Sequence, residues 1–209
     1  MSELKDRWVE FFKKINAKGD PISFYETIQT LYSQPIRFYH TLEGHIADCL
    51  FELDQVSHLA EYPNKVEMTL WLHDIIYDTH QQDDEELSAQ FARQLSKEMK
   101  LADSFGRRVY ELILVTKHNL IPKKFDAKLV ADIDLSILGR LEEEFDRYEK
   151  NIRKEYNWVP EEQFKTERTA ILRKFLKRPS IYYTDFFRQR YETQAIGNLK
   201  RSLIRLEKS

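Results

Sequence analysis

The sequence predicts an all-α fold. Five glycines and six prolines in 209 residues leave few turn signals, and the apolar residues mostly recur every three or four positions rather than alternating. The prolines fall between the periodic stretches, so each stretch reads as a separate helix.

A first helix is expected from about Ser2 to Lys14, with Gly19 beyond its end. Asp20-Pro21 reads as a cap followed by proline at the first helical position, opening a second helix toward Tyr32. Pro35 interrupts the chain. In the next stretch, RFYHTLEGHIADCLFELDQVSHLA, Leu42, His45, Ile46, Cys49, Leu50 and Leu53 share one face, so His45 points inward. Pro63-Asn64 opens a helix whose inward stripe is Val66, Leu70, His73 and Tyr77. Asp83 to Glu86 supply first-turn negative charge to a helix running toward Met99. Another starts near Asp103, carries Val109, Leu112, Ile113 and Thr116, and reaches His118 before Pro122 ends it. Phe125 to Gly139 forms a helix closed by a glycine cap. Helices near 141–157, 160–177 and 184–207 follow, separated by Pro160 and Pro179.

The length allows one substantial core, and no linker or repeat asks for a second, so the whole of 1–209 is expected as a single domain. With 33 Lys and Arg against 35 Asp and Glu, the broad positive footprint of a nucleic-acid binder is missing. The single cysteine, Cys49, excludes an intramolecular disulfide and favours a reducing compartment. The amphipathic N-terminus lacks a signal peptide's apolar stretch, and no run reaches membrane-spanning length. A cytoplasmic protein with no membrane or nucleic-acid partner is expected. The sequence leaves the oligomeric state open, a homodimer among the options.

The chemistry concentrates on His73-Asp74, an imidazole and a carboxylate inside the apolar WLHDIIYD. Charged side chains are seldom buried without a partner, and a divalent metal ion is the partner these two suit best. His45 upstream and Asp132 or Asp134 downstream extend the donor set. Imidazole and carboxylate together suit iron, manganese, cobalt, nickel or zinc, and leave magnesium in play. No thiolate ligand is evident. Four protein ligands on an octahedral ion would leave positions for water and substrate, the mark of a catalytic site. Taken one at a time these residues have plainer uses: a core histidine, a capped or salt-bridged aspartate, a cation at a helix end.

His45, then His73-Asp74, then an aspartate some sixty residues on, all on helices, resembles the HD superfamily of metal-dependent phosphohydrolases. RFYHTLEGHIADCL is similar to the family's Tyr-His segment leading into the first metal histidine. HDIIYD, DDEELSA, TKH, DIDLSILG and IRKEY resemble a bacterial subgroup of predicted HD phosphohydrolases. The resemblance covers about 37–156, with the 160–207 helices packed on that core, and implies an HD-type helical bundle.

It also implies His45, His73 and Asp74 as metal ligands, with Asp134 favoured over Asp132 for the last place because Asp134-Leu135 matches the family's pattern. Two residues apart on a helix is about 200°, so both cannot face one ion. In the implied reaction, Asp74 orients water that cleaves a small phosphate ester of a nucleotide or related metabolite. His118 or His40 protonates the leaving oxygen, Lys117, Arg37 and Arg153 meet the phosphate, and Glu85 or Glu86 accepts a hydrogen bond from the water. Relatives place three residues between the Tyr-His histidine and the metal histidine, whereas four separate His40 from His45 here. His40 therefore reaches the site only from a loop preceding the helix. Two readings of other classes stand beside this one. They are a di-iron oxygenase on the same scaffold and a regulatory module that binds a metal or nucleotide without turnover.

Overall fold

The computed structural model describes residues 3–208, and among them it contains helices and turns but no strand. The expected start of the first helix, Ser2, lies outside the described residues. The chain divides into two compact units, Met1–Val130 and Ala131–Ser209, and the division falls inside one helix.

The first unit begins with α1 (Glu3–Lys14) and α2 (Pro21–Tyr32). The expected cap between them forms: the Asp20 carboxylate accepts from the backbone N–H groups of Ile22 and Ser23 at 3.1 and 3.2 Å. A π-helical turn (Leu42–Ile46) then leads into α3 (Ala47–Val56). The inward face read from the sequence is the buried one, since Leu42, His45, Ile46, Cys49, Leu50 and Leu53 are all inaccessible.

Next comes α4 (Pro63–Leu72), whose seven consecutive residues Val66 to Leu72 are buried. A helix covered all round is a core helix, and α3, α5 (Asp84–Glu98) and α6 (Asp103–Ile113) pack around it. Its last turn is held from outside. Trp8 of α1 sets its ring edge against Trp71, centroids 5.4 Å apart, and the Tyr32 hydroxyl donates to the Trp71 carbonyl at 3.1 Å. Its entry is held by Asp126 of α7 (Phe125–Asp134), whose carboxylate accepts from the N–H groups of Glu61 and Tyr62 at 2.8 and 3.1 Å.

The expected continuation of α4 through Tyr77 does not occur. The helix stops at Leu72, because the next carbonyls and amides are claimed by other elements. Arg37 takes the oxygens of Asp74 and Ile75, and the Ile76 N–H donates to Ser88 Oγ of α5 at 3.0 Å.

The second unit holds a 3₁₀ turn (Leu135–Gly139), α8 (Glu142–Glu155), α9 (Glu161–Leu176) and α10 (Asp185–Lys208). Gly139 is not the left-handed helix cap expected of it. Its need is closeness, since a Cβ there would lie 2.4 Å from Tyr191 Cβ and 2.8 Å from the Tyr191 carbonyl oxygen. Asn198 of α10 fastens the same turn, donating to the Leu138 and Arg140 carbonyls at 2.9 Å each. A buried Arg168–Glu149 ion pair joins α9 to α8, with Arg168 also donating to the Tyr148 hydroxyl at 2.8 Å. Among the described residues no helix is long and apolar enough to cross a membrane.

Candidate metal centre

Two local devices bring His45 and His73-Asp74 together inside the first unit. One is the end of α4: His73 occupies the cap, its ring turned so that Nδ1 lies 3.1 Å from the Leu70 carbonyl. The other is Arg37, only 6% exposed. Its guanidinium donates to the carbonyls of His40, Asp74 and Ile75 at 3.0, 2.8 and 3.0 Å. It lies between the rings of Tyr32 and Tyr77, 4.8 and 5.1 Å from their centroids. One side chain thereby fixes the loop before the first histidine against the loop carrying the second. Arg37, expected at the substrate, spends its guanidinium on these carbonyls, and its fork geometry suits two of them at once.

The result is a compact triangle of donor atoms. His45 Nε2 lies 3.0 Å from His73 Nε2, and Asp74 Oδ2 lies 3.2 Å from each. A carbonyl oxygen can only accept, so the contact with Leu70 puts the His73 proton on Nδ1 and leaves a lone pair on Nε2 in the neutral ring. That lone pair faces a carboxylate oxygen and a second imidazole. A single proton on His45 Nε2 satisfies only one of these contacts, whereas one cation between the three atoms satisfies all of them. The size fits as well: the centre of the triangle is about 1.8 Å from each atom, just inside the roughly 2.0–2.2 Å of metal bonds to imidazole and carboxylate. Burial opposes ionisation of Asp74, but when the imidazoles are protonated the charge of His73 and hydrogen bonds from both rings prevail and hold its carboxyl well below the ordinary range.

Two residues that the sequence reading did not assign to the site belong to it. The Tyr39 hydroxyl is 2.9 Å from His45 Nδ1, supporting the ring from behind. Cys49, one turn after His45, places Sγ 3.8 and 3.9 Å from that ring's nitrogens. His45, Cys49 and His73 each offer a ligand atom, and these lie within 4.8 Å of one another. A buried cluster able to hold a metal ion is therefore present.

The other expected residues are distributed more widely. His40 precedes the π-helical turn, its ring 4.5 Å from Tyr77 and 5.6 Å from His45, and its charge adds to the depression of the Asp74 pKa. A π-helical turn holds one more residue per turn than an α-turn, and His45 lies within it while His40 precedes it. Lys117, ending a 3₁₀ turn (Leu114–Lys117), is ion-paired with Glu86 and lies 3.9 Å from Glu85. Its ammonium and the Glu86 carboxylate are thus engaged with each other. Burial raises the Glu85 pKa, and the negative charge of Asp74 raises it further. His118 follows in the left-handed region, φ 51°.

Arg153 serves the second unit. Expected at the substrate, it donates to the Tyr156 and Val159 carbonyls at 2.6 and 3.0 Å and to Glu161 at 2.9 Å, joining the end of α8 to the start of α9. Asp132 is committed there too. Its two oxygens accept from the Tyr183 N–H, the Thr184 N–H and the Thr184 hydroxyl at 2.7, 2.7 and 2.6 Å, so a ligand role is not the use this structure makes of it. Asp134 is the last residue of α7.

Comparison with protein-family models, with curated proteins and with solved structures gives no match.

Proposed function

We propose that the protein is a metal-dependent hydrolase of small phosphate esters, such as those of nucleotides, with the centre at His45, His73 and Asp74. The observation that carries this reading is the triangle of three donor atoms 3.0–3.2 Å apart, in which the His73 tautomer is set by Leu70 so that lone pairs converge. Resemblance of the sequence to HD phosphohydrolases assigns a fourth ligand to Asp134. A bound divalent ion would contribute Lewis acidity, easing loss of a proton from water and drawing charge from a phosphoryl oxygen.

The chain's own groups supply the rest. Asp74, held as a carboxylate, is the group placed to align the attacking water. His40, packed at a tilt against Tyr77 at the edge of the cluster, is placed to give a proton to the leaving oxygen. Lys117 already neutralises Glu86, so it meets a phosphate only by exchanging one anion for another. Its contribution is accordingly smaller than that of a free lysine.

The test is a screen of purified protein against phosphate esters with zinc, cobalt, manganese or magnesium, alongside calorimetric metal binding. Hydrolysis that needs added metal and disappears in His73→Ala and Asp74→Ala is the expected result. Turnover that survives both substitutions refutes the assignment.

A further inference from the structure

We propose that Cys49 is itself a metal ligand, so that the centre selects a nitrogen- and sulfur-seeking ion of the zinc class over magnesium or manganese. This rests on the metal reading above and deepens it. Cys49 is 1% exposed and lies on α3 one turn beyond His45. Its Sγ faces the His45 ring at 3.8 and 3.9 Å, and its place in a cluster with His45 and His73 joins a soft donor to two imidazoles. A cysteine buried only as a small hydrophobe would be surrounded by apolar groups. This one faces an imidazole whose Nε2 also neighbours the Asp74 carboxylate and whose Nδ1 neighbours the Tyr39 hydroxyl.

The distances permit shared coordination. Metal bonds of about 2.1 Å to nitrogen and about 2.3 Å to sulfur add to more than the 3.9 Å separating Sγ from His45 Nε2, and since Sγ is as close to Nδ1, at 3.8 Å, ligation requires the Cys49 side chain to turn about its χ1 toward Nε2. The side chain's thiol proton leaves to solvent as the sulfur–metal bond forms, one proton per ion bound. Oxygen-only ions such as magnesium gain little from a thiolate, while zinc, cobalt and nickel gain much. A thiolate in the set therefore works as the selectivity element, and the carboxylate of Asp74 keeps the centre hard enough to engage a phosphoryl oxygen.

Cobalt(II) is the probe. Titrated into the metal-stripped full-length chain, it should give visible d–d bands together with a near-ultraviolet sulfur-to-cobalt charge-transfer band. Cys49→Ser and Cys49→Ala should keep the visible bands and lose the near-ultraviolet one. Their cobalt affinity should fall by more than the roughly 10–100-fold seen when a group that merely supports a ligand is removed, with manganese affinity little changed. Visible bands without the charge-transfer band in the wild-type chain would overturn the thiolate ligand and leave the metal centre standing. No cobalt uptake at all would overturn the metal centre and this inference with it. The wild-type spectrum decides between these outcomes even if a variant fails to fold.

Discussion

Replacing Arg37 with methionine should lower the melting temperature by roughly 10 °C and weaken metal binding at the same time. The guanidinium is 6% exposed and makes three hydrogen bonds to main-chain carbonyls, at 3.0, 2.8 and 3.0 Å. Hydrogen bonds to a charged group contribute about 1.5–3 kcal/mol each, and carbonyls left buried without a donor cost about 1–3 kcal/mol. The three share one side chain and are not additive, so a loss of about 3–5 kcal/mol is the reasonable sum. For a chain of this size each kcal/mol moves the midpoint by roughly 2–4 °C. Arg37→Lys should lose less, since an ammonium reaches one carbonyl but cannot span two with a fixed fork. Calorimetry with and without cobalt reads both effects. A residue that only met substrate would change KM and leave the midpoint alone. An Arg37→Met protein that melts within a degree or two of wild type and still takes up cobalt normally would refute the clamp.

Tyr39→Phe should retain the fold and lower metal affinity by roughly 10–100-fold, because the hydroxyl orients His45 without touching the ion; competition with a chromophoric chelator measures it, and unchanged affinity would remove Tyr39 from the site. Burial holds the Asp132 carboxyl up at about 6, against about 3.9 in an unfolded chain. A carboxyl raised in the folded state binds its proton more tightly when folded, so its contribution is fully present below the unfolded value and is lost as the pH climbs through about 6. Wild type should therefore lose up to about 3 kcal/mol relative to Asp132→Asn between pH 4 and 7. Denaturant titrations across that range test it, and parallel pH curves for the two proteins would reject it.

The helices were legible because each is punctuated locally. Asp20-Pro21, Pro63 and the acidic run in the first turn of α5 state where a helix begins, in chemistry that acts within one turn. What escaped was every boundary set from a distance. α4 ends early because Arg37 and Ser88, 37 and 12 residues away in sequence, take its next polar groups. The Gly139 turn is dictated by Tyr191, on a helix that periodicity places but cannot bring into contact. The same limit applies to arginine. Arg37 and Arg153 have the charge of phosphate binders, and only coordinates reveal that backbone carbonyls already hold their donors.

The site was legible in its residue types and illegible in its angles. His45, Cys49 and Leu53 fall at helical spacing on one apolar face, so the sulfur's position one turn from the imidazole was implicit in the pattern. Its relevance was not, because a buried cysteine at that spacing is ordinary until a second imidazole arrives from α4. The four residues between His40 and His45 posed the opposite problem: read as α-helix they turn His40 away, yet His45 lies within a π-helical turn over Leu42–Ile46 and His40 precedes it. Such a turn sacrifices regular backbone hydrogen bonding and survives where surrounding contacts over-determine it. Here those contacts are the Arg37 clamp on the His40 carbonyl, the Tyr39 hydroxyl on His45 and the packing of His40 on Tyr77. All three act on the segment that aims His45 at His73 and Asp74. An irregular turn maintained by that many fixed partners ends with two imidazoles and a carboxylate oxygen 3.0–3.2 Å apart, beside a buried group able to hold a metal ion.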